Sequence, residues 1–199
     1  MGKFFQVTSC DLRGDNKLFE RKRKSAKIYE KYPFLVLFGA TDRNFTEKYS
    51  IVITYMFMTN DRDAGATSIA EAIQVNKTLT NLNLSQNRIN AAGATSIAET
   101  IKVNKTLTNL NLSVNLFSDA DATSIAEAIK VNKTLTNLNL FNSGISDTGA
   151  TSIVEEIKVN KTLTSLNLSH NRISDTSATS IAEAIKVNKT LTNLEPIRQ

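Results

Sequence analysis

The stretch "TLTNLNLSQNRIN" at residues 78–90 returns nearly unchanged as "TLTNLNLSVNLFS" at 106–118 and as "TLTSLNLSHNRIS" at 162–174. Each copy contains the pattern Leu-x-x-Leu-x-Leu-x-x-Asn or a close variant, and the period is 28 residues. The apolar residues Leu82 and Leu84 alternate with the polar residues Asn81 and Asn83. Because successive side chains of a strand point to opposite faces, this alternation predicts a strand with one buried and one exposed face.

The second half of each unit has the period of a helix. In "AAGATSIAETIKVNK" (91–105), Ala94, Ile97, Ala98 and Ile101 recur at the spacing of one helix face. Each helix start is indicated by an N-cap residue, namely Asn90, Ser118, Ser146 or Ser174. Aspartates in the first turn and lysines near the last turn suit the helix dipole. Each unit is therefore predicted to be a strand, a loop, a helix and a return loop.

One such unit buries too few apolar residues to be stable alone, whereas a stack of units shares a continuous core. The sequence therefore predicts an α/β fold: a curved solenoid, or horseshoe segment, with a parallel sheet on the concave face and helices on the convex face. Small residues on the helices are expected to keep them close to the sheet: Ala66, Ala94, Ala98, Ala122, Ala126, Ala150, Ala178 and Ala182. Val154 breaks this pattern and needs local room.

The repeats do not cover the whole chain. We expect residues 1–50 to be a basic segment outside the repeats and a possible cap, with a helix over 15–32 and a buried strand or packing segment over 34–40. We expect residues 51–199 to hold the array, incomplete at both ends, with a degraded first strand over 52–60 that uses Val52, Tyr55, Phe57 and Asn60. Pro196 should stop the last strand. The uncovered edge indicates a fragment, a truncated gene product or an oligomer that self-associates there.

The phrase "LTNLNLSQNRINAAGATSIAETIKVNKT" (79–106) resembles leucine-rich repeats of the ribonuclease-inhibitor type, a class also found in NOD-like (NACHT) receptors. The resemblance covers residues 79–194 well. It implies a horseshoe, protein recognition and a ladder of buried asparagines at the strand ends. This role carries over to Asn87, Asn115 and Asn171, whose amides are expected to bond loop backbone groups. The third unit has Ser143 at that position and Asn142 one residue earlier, so its ladder should be weakened or reshaped.

Candidate partner-binding positions lie on the exposed face of the strands and in the loops that follow. The strand positions form a ladder of amides: Asn81, Asn83, Asn109, Asn111, Asn137, Asn139 and Asn167, with Ser165 as the exception. The loop positions differ between units and so can give specificity: Gln86, Arg88, Val114, Phe141, Asn142, His170 and Arg172. Phe117 and Leu116 are candidates either for an apolar patch beside Val114 and Phe141 or for the core.

These positions favour a protein–protein interaction scaffold that binds a protein partner through the concave sheet and adjacent loops. A first alternative is a GTPase regulator resembling the Ran-activating leucine-rich repeat proteins, although the array lacks their long acidic tail. A second is nucleic-acid binding by the basic segment: residues 1–60 contain 11 Lys and Arg against 6 Asp and Glu, and the rest contains 13 of each. We rank nucleic-acid binding last, because "ERKRKSAK" (20–27) has few basic residues and no flanking aromatic platform.

No catalytic constellation, cofactor motif or metal-ligand cluster is apparent. The single histidine, His170, is far in sequence from the single cysteine, Cys10, and the repeated carboxylates are spaced by one unit instead of converging. We therefore expect a protein that is not an enzyme. The one cysteine, the absence of a signal-like start and the shortness of the apolar stretches predict a cytoplasmic protein without a membrane span.

Overall fold

The structure, a computed structural model, describes residues 37–38, 50–53 and 62–195 of the chain. The helices in this part are α1 (Arg62–Val75), α2 (Ala91–Val103), α3 (Asp119–Val131), α4 (Asp147–Ile157) and α5 (Asp175–Val187). The strands are β1 (Leu37–Phe38), β2 (Ser50–Ile53), β3 (Asn81–Asn83), β4 (Asn109–Asn111), β5 (Asn137–Asn139), β6 (Ser165–Asn167) and β7 (Asn193–Leu194). None of the helices in these ranges has the length and hydrophobicity that a bilayer crossing needs.

The described strands form one sheet in chain order from β1 to β7. β1 and β2 are antiparallel, and every later pair is parallel. The register matches the sequence period, because Leu110 of β4 lies opposite Leu82 and Leu138. Each helix joins one parallel strand to the next. This arrangement confirms the predicted α/β repeat solenoid.

The core lies between the sheet and the helices. Leu84, Leu112, Leu140 and Leu168 follow directly after strands β3 to β6 and are fully buried. The helix stripe meets them from the other side, with Ile125 and Ile153 also fully buried. Burying each such side chain stabilises the fold by about 1.5 to 3 kcal/mol. Because α2, α3 and α4 each contact the helices before and after them, the core is continuous along the stack.

The first parallel strand differs from the sequence prediction. β2 places Ile51 opposite Leu82, whereas the predicted frame placed Tyr55 there and is wrong. The run Ser-Ile-Val-Ile is rich in β-branched residues, which favour a strand, and it bonds β1 on one side and β3 on the other. The strand predicted within 34–40 is present as β1. Most of 1–50, and Tyr55, Phe57 and Asn60, lie outside the described residues.

The last described unit shows what a following repeat contributes. Ile185 is 41% exposed, whereas Ile157, its equivalent in the preceding unit, is 2% exposed. Ala182 is exposed as well, whereas Ala126 and the other equivalents whose burial is described are buried. The reason is that no helix packs on this side of α5 within the described residues. Val154 is accommodated and only 2% exposed.

Candidate functional site

The loops that follow the strands have a repeated and unusual backbone conformation. Gln86, Val114, Asn142 and His170 occupy the same position of successive units and have φ angles of 59°, 56°, 47° and 56°. This left-handed conformation costs a residue other than glycine about 1 to 3 kcal/mol. It is held by the next unit: the N–H of Val114 donates to the Phe141 carbonyl at 2.8 Å, and the N–H groups of Gln86 and Asn142 donate likewise. The turn leaves three of these side chains exposed and Val114 half-buried.

The predicted asparagine ladder is present beneath these loops. The Asn115 amide donates to the Leu84 and Leu112 carbonyls at 3.1 and 2.8 Å. Its Oδ1 accepts the N–H groups of Asn87 and Ile89. Asn171 makes the equivalent bonds to Leu140, Leu168, Ser143 and Ile145, and Asn87 donates to the Ser85 carbonyl. All three asparagines are buried, so the ladder satisfies backbone groups that water cannot reach.

The third unit is reshaped, as the sequence predicts. The Ser143 hydroxyl donates to the Leu112 carbonyl at 3.1 Å, which replaces one bond of the missing amide. The Phe117 N–H donates to the backbone carbonyl of Ser143 at 2.9 Å instead of to a side-chain oxygen. Gly144 has a φ of 84°, and a Cβ there would lie 3.1 Å from the Phe117 carbonyl oxygen. The loop therefore closes around a shorter side chain by bringing two backbones together.

The amides of the exposed sheet face lie together in two rows. In the row at the strand ends, the side-chain oxygens of Asn83, Asn111, Asn139 and Asn167 accept the N–H of the residue two positions later at 2.9 to 3.0 Å. In the other row, the Asn109 amide donates to the Asn81 side-chain oxygen, and the Thr164 hydroxyl contacts Asn137 at 3.5 Å. Asn81 is only 8% exposed, whereas Asn137 is exposed.

Two predicted loop residues form a pair. The rings of Phe141 and His170 pack edge to face with centroids 4.8 Å apart, and His170 is exposed while Phe141 is half-buried. Arg88 and Arg172 are both exposed, and two units separate the loop of Arg88 from that of Arg172. Phe117 is 3% exposed and belongs to the core, whereas Leu116 is 54% exposed, so the core interpretation is correct for Phe117 and wrong for Leu116.

A second asparagine ladder lies at the opposite edge of the array, and the sequence reasoning missed it. In the return loops, the Asn132 amide donates to the Ile101 carbonyl of the preceding unit at 2.6 Å, while its Oδ1 accepts the N–H groups of Thr134 and Leu135. Asn104, Asn160 and Asn188 repeat this pattern of donated and accepted bonds. At Asn76 the structure describes the accepting half of the pattern, in which Oδ1 accepts the N–H of Leu79. The sequence feature that could have predicted this ladder is Asn-Lys-Thr-Leu, which recurs every 28 residues. Its first three residues also form a glycosylation sequon. Burial and hydrogen bonding give these asparagines a structural role.

A third cross-repeat contact uses the first-turn aspartates. The Asp119 carboxylate accepts the N–H groups of Ser146 and Gly149 and the Ser146 hydroxyl, at 2.7 to 3.1 Å. These bonds, led by that of the Ser146 hydroxyl, hold the pKa of Asp119 below its usual value. Asp147 bonds the next unit likewise, and the hydroxyls of Ser177 and Ser174 lower its pKa. Both aspartates therefore bind the N-cap serine of the following helix, and Asp119 also caps that helix through the Gly149 N–H.

Gly149 makes room for this contact. A Cβ at Gly149 would lie 2.8 Å from the Asp119 carboxylate oxygen and 2.9 Å from Ala122. The predicted N-cap positions are confirmed at the starts of α2 to α5. Side-chain capping within the helix itself occurs at Ser118 and Ser146 and is absent at Asn90 and Ser174. No cluster of metal-ligating side chains occurs among the residues described.

The repeats match a known family, and the fold matches solved structures. The family described as Leucine Rich repeat matches residues 75–98, 131–154 and 159–182. No curated protein matches the chain. A structure of leiomodin-1 actin-binding site 2 is similar with a TM-score of 0.59 and 23% identity, covering 73% of this chain and 83% of the other. The tropomodulin C-terminal domain of Caenorhabditis elegans is similar with a TM-score of 0.59 and 17% sequence identity. The match covers 73% of this chain and 87% of the other.

These matches support the repeat fold without assigning the ribonuclease-inhibitor type or a likeness to NOD-like receptors, which stay predictions. Each matched segment contains a return loop, a strand, the loop that follows the strand and the first part of the next helix. Together with the strand register and the asparagine ladders, they identify the chain as a leucine-rich repeat protein.

Proposed function

We propose that the chain is a protein-interaction scaffold whose partner binds across the exposed face of the sheet and the adjacent strand-end loops. The observation that carries this proposal is that the differences between units are concentrated at loop positions that are exposed or half-buried. Gln86, Val114, Asn142 and His170 share one backbone conformation but have four different side chains. The backbone conformation is thus constant along the array, while the side chains at these positions differ from unit to unit.

The frame is preorganised for binding. Each strand-end loop is tied to its neighbour by backbone bonds such as that from Val114 to Phe141, and the ladder of Asn115 and Asn171 supports it from below. A surface that is already ordered loses less conformational entropy on association. Specificity can therefore come from side chains on rigid loops.

Phe141, His170 and Arg172 are the proposed anchors. The Phe141–His170 pair is partly exposed, and Arg172 is exposed in the same unit as His170. Aromatic residues and arginine contribute a disproportionate share of interface binding energy. The proposed contact set also includes the sheet amides and the remaining loop positions: Asn81, Asn83, Asn109, Asn111, Asn137, Asn139, Asn167, Gln86, Arg88, Val114 and Asn142.

The test compares partner capture by matched variants. Proteins that bind the tagged full-length chain are identified by mass spectrometry, and capture is repeated with Phe141→Ala and with Arg172→Ala. Val131→Ala serves as the control because Val131 is 50% exposed on the helix side of the array. We expect the two loop variants to lose the same partner, by about tenfold in affinity or more, while the control keeps it. Retention of every partner by both loop variants, with unchanged melting temperature, would overturn the proposal.

Actin is a named partner to include in this test. The leiomodin-1 structure with a similar fold is an actin-binding site. Fold similarity at this identity does not transfer a partner, so binding of purified actin is measured directly with the same three variants. Binding that Phe141→Ala weakens would identify the partner, and the absence of actin binding would leave the scaffold proposal to the capture experiment.

A further inference from the structure

The amides at the strand ends have a fixed orientation. The backbone N–H groups of Ser85, Ser113, Phe141 and Ser169 can only donate, so the atom that accepts them must be the side-chain oxygen of Asn83, Asn111, Asn139 or Asn167. This leaves the Nδ2 group of each amide pointing away from the turn. None of these four Nδ2 groups has an acceptor in the described part of the chain. The row therefore presents hydrogen-bond donors.

Strands β3 to β6 and their loops carry no negative charge on the side that holds this row, whereas the next position of the row, beyond Asn167, is the exposed Glu195. No Asp or Glu occurs in residues 79–90, 107–117, 135–146 or 163–174, which contain the strands β3 to β6 and their loops. The formal charges in these segments belong to Arg88 and Arg172, and both are exposed.

The helix side differs in charge. It carries the acidic residues of these units, several of which are paired. Lys102 bonds Glu99 at 2.8 Å, and Lys130 bonds Glu156 at 3.0 Å. In the units of β3 to β6 the acidic residues therefore lie on the helix side, while the strands and their loops carry the amide donors and two arginines.

We infer that the sheet face binds an extended acidic segment of a partner protein. This inference rests on the proposed function and specifies its partner chemistry. Ionised carboxylates only accept hydrogen bonds, so they complement the four outward Nδ2 groups, which lie about 4.8 Å apart from one parallel strand to the next. Arg88 and Arg172 add charge at the strand-end loops. A segment that crosses the strands meets one amide for each unit that it passes.

A protein segment fits this surface better than a nucleic acid. Binding of single-stranded nucleic acid uses stacking on successive aromatic side chains and a strongly basic groove. Strands β3 to β6 have no aromatic residue, and the adjoining loops offer Phe141 and His170 in one place only. Two arginines over four units supply too little charge for a phosphate backbone.

The experiment uses two peptides of equal length on the full-length chain. One alternates Asp and Gly, and the other alternates Asn and Gly, so that shape is kept and charge is removed. Fluorescence anisotropy is expected to show binding of the Asp peptide that weakens with added salt, and at least about tenfold weaker binding of the Asn peptide. Equal binding of both peptides, or tighter binding of single-stranded DNA than of the Asp peptide, would overturn the inference.

The matched variants are Asn111→Asp and Asn139→Asp. Aspartate keeps the oxygen that accepts the backbone N–H, so the turn is preserved, but it replaces the outward donor by an acceptor. Each variant is expected to weaken the Asp peptide about fivefold or more. Gln74→Glu makes the same amide-to-acid change at an exposed position of α1 and should change the affinity less than twofold.

The two proposals can fail separately. If Asn111→Asp and Asn139→Asp bind the Asp peptide as tightly as the wild type, the acidic-segment inference is wrong. The scaffold proposal would still stand if Phe141→Ala and Arg172→Ala lose a captured partner. If no captured partner responds to either loop variant, the scaffold proposal is wrong whatever the peptides do.

Discussion

The two edges of the array use asparagine for different purposes. At the return loops, Asn104, Asn132, Asn160 and Asn188 repeat the same residue and the same bonds to the preceding unit. At the strand ends, the ladder changes at Ser143, and the exposed residue above it changes in every unit. The uniform edge therefore fixes the distance and register between units, whereas the variable edge can present a different surface in each unit.

The largest expected effect is loss of a return-loop asparagine. Asn160→Leu leaves the Ile129 carbonyl and the N–H groups of Thr162 and Leu163 without their partners. Because each buried polar group left unsatisfied costs about 1 to 3 kcal/mol, we expect the free energy of unfolding in urea to fall by about 3 kcal/mol or more. Asn137→Leu, the same substitution on the exposed sheet face, should change it by about 0.5 kcal/mol or less. If Asn160→Leu and Asn137→Leu lowered the free energy of unfolding equally, the return-loop asparagines would not have a special structural role.

A smaller effect is expected at the reshaped loop of the variable edge. Gly144→Ala places a side chain at a φ of 84° with its Cβ 3.1 Å from the Phe117 carbonyl oxygen. We expect a loss of about 1 to 2 kcal/mol in urea unfolding. Leu116→Ala, at the same position of the preceding unit, is the control, because Leu116 is 54% exposed and has no positive φ. A loop that tolerates Gly144→Ala as well as Leu116→Ala would show that Ser143 does not force the two backbones together.

The smallest expected effect depends on pH. The Asp119 pKa is lowered in the folded state, so its contribution to stability is present above the unfolded value of 3.8 and is lost as the pH falls through the folded pKa. Asp119→Asn should therefore be less stable than the wild type near neutral pH, and this difference should shrink at about pH 2. Thermal unfolding at both pH values measures it.

Asp175→Asn is the control for this measurement. Asp175 occupies the same helix position in α5, and within the described residues no further unit donates hydrogen bonds to its carboxylate. We expect its substitution to change stability little at either pH. A difference between wild type and Asp119→Asn that stays constant with pH would mean that Asp119 does not stabilise the junction as an ion.

The period made the regular part of this fold predictable. Leu82 and Leu84 specify a half-buried strand, and a 28-residue repeat of that pattern leaves stacking in register as the way to share a core. The exposed row of strand amides follows from the same alternation. Ser143 was predictable as a defect because its neighbours in the ladder are asparagines.

The rest of the fold could not be predicted, because it depends on contacts between neighbouring units that the sequence of one repeat does not reveal. Asp119 reads as a first-turn residue of its own helix, but its carboxylate bonds the next one. In the sequence Asn132 is part of a glycosylation sequon. Its role in joining two units is evident only from its hydrogen bond to the Ile101 carbonyl. At β2 the leucine pattern is absent, so the register with Leu82 could not be fixed. Leu116 and Phe117 are both apolar, so the sequence alone did not decide which of them is buried.

We propose that the asparagines of one unit divide into those that join neighbouring units and those that face a partner. Asn132→Asp and Asn139→Asp test it with one chemical change in one unit. Both keep the oxygen that accepts backbone N–H groups, but Asn132 loses a buried donor bonded to the Ile101 carbonyl, whereas the Nδ2 group of Asn139 has no acceptor within the described chain.

The measurement is the free energy of unfolding in urea near neutral pH for these two variants and the wild type. We predict a loss of about 3 kcal/mol or more for Asn132→Asp, because a carboxylate would face a buried carbonyl, and about 0.5 kcal/mol or less for Asn139→Asp. Equal losses, or a larger loss for Asn139→Asp, would contradict the account.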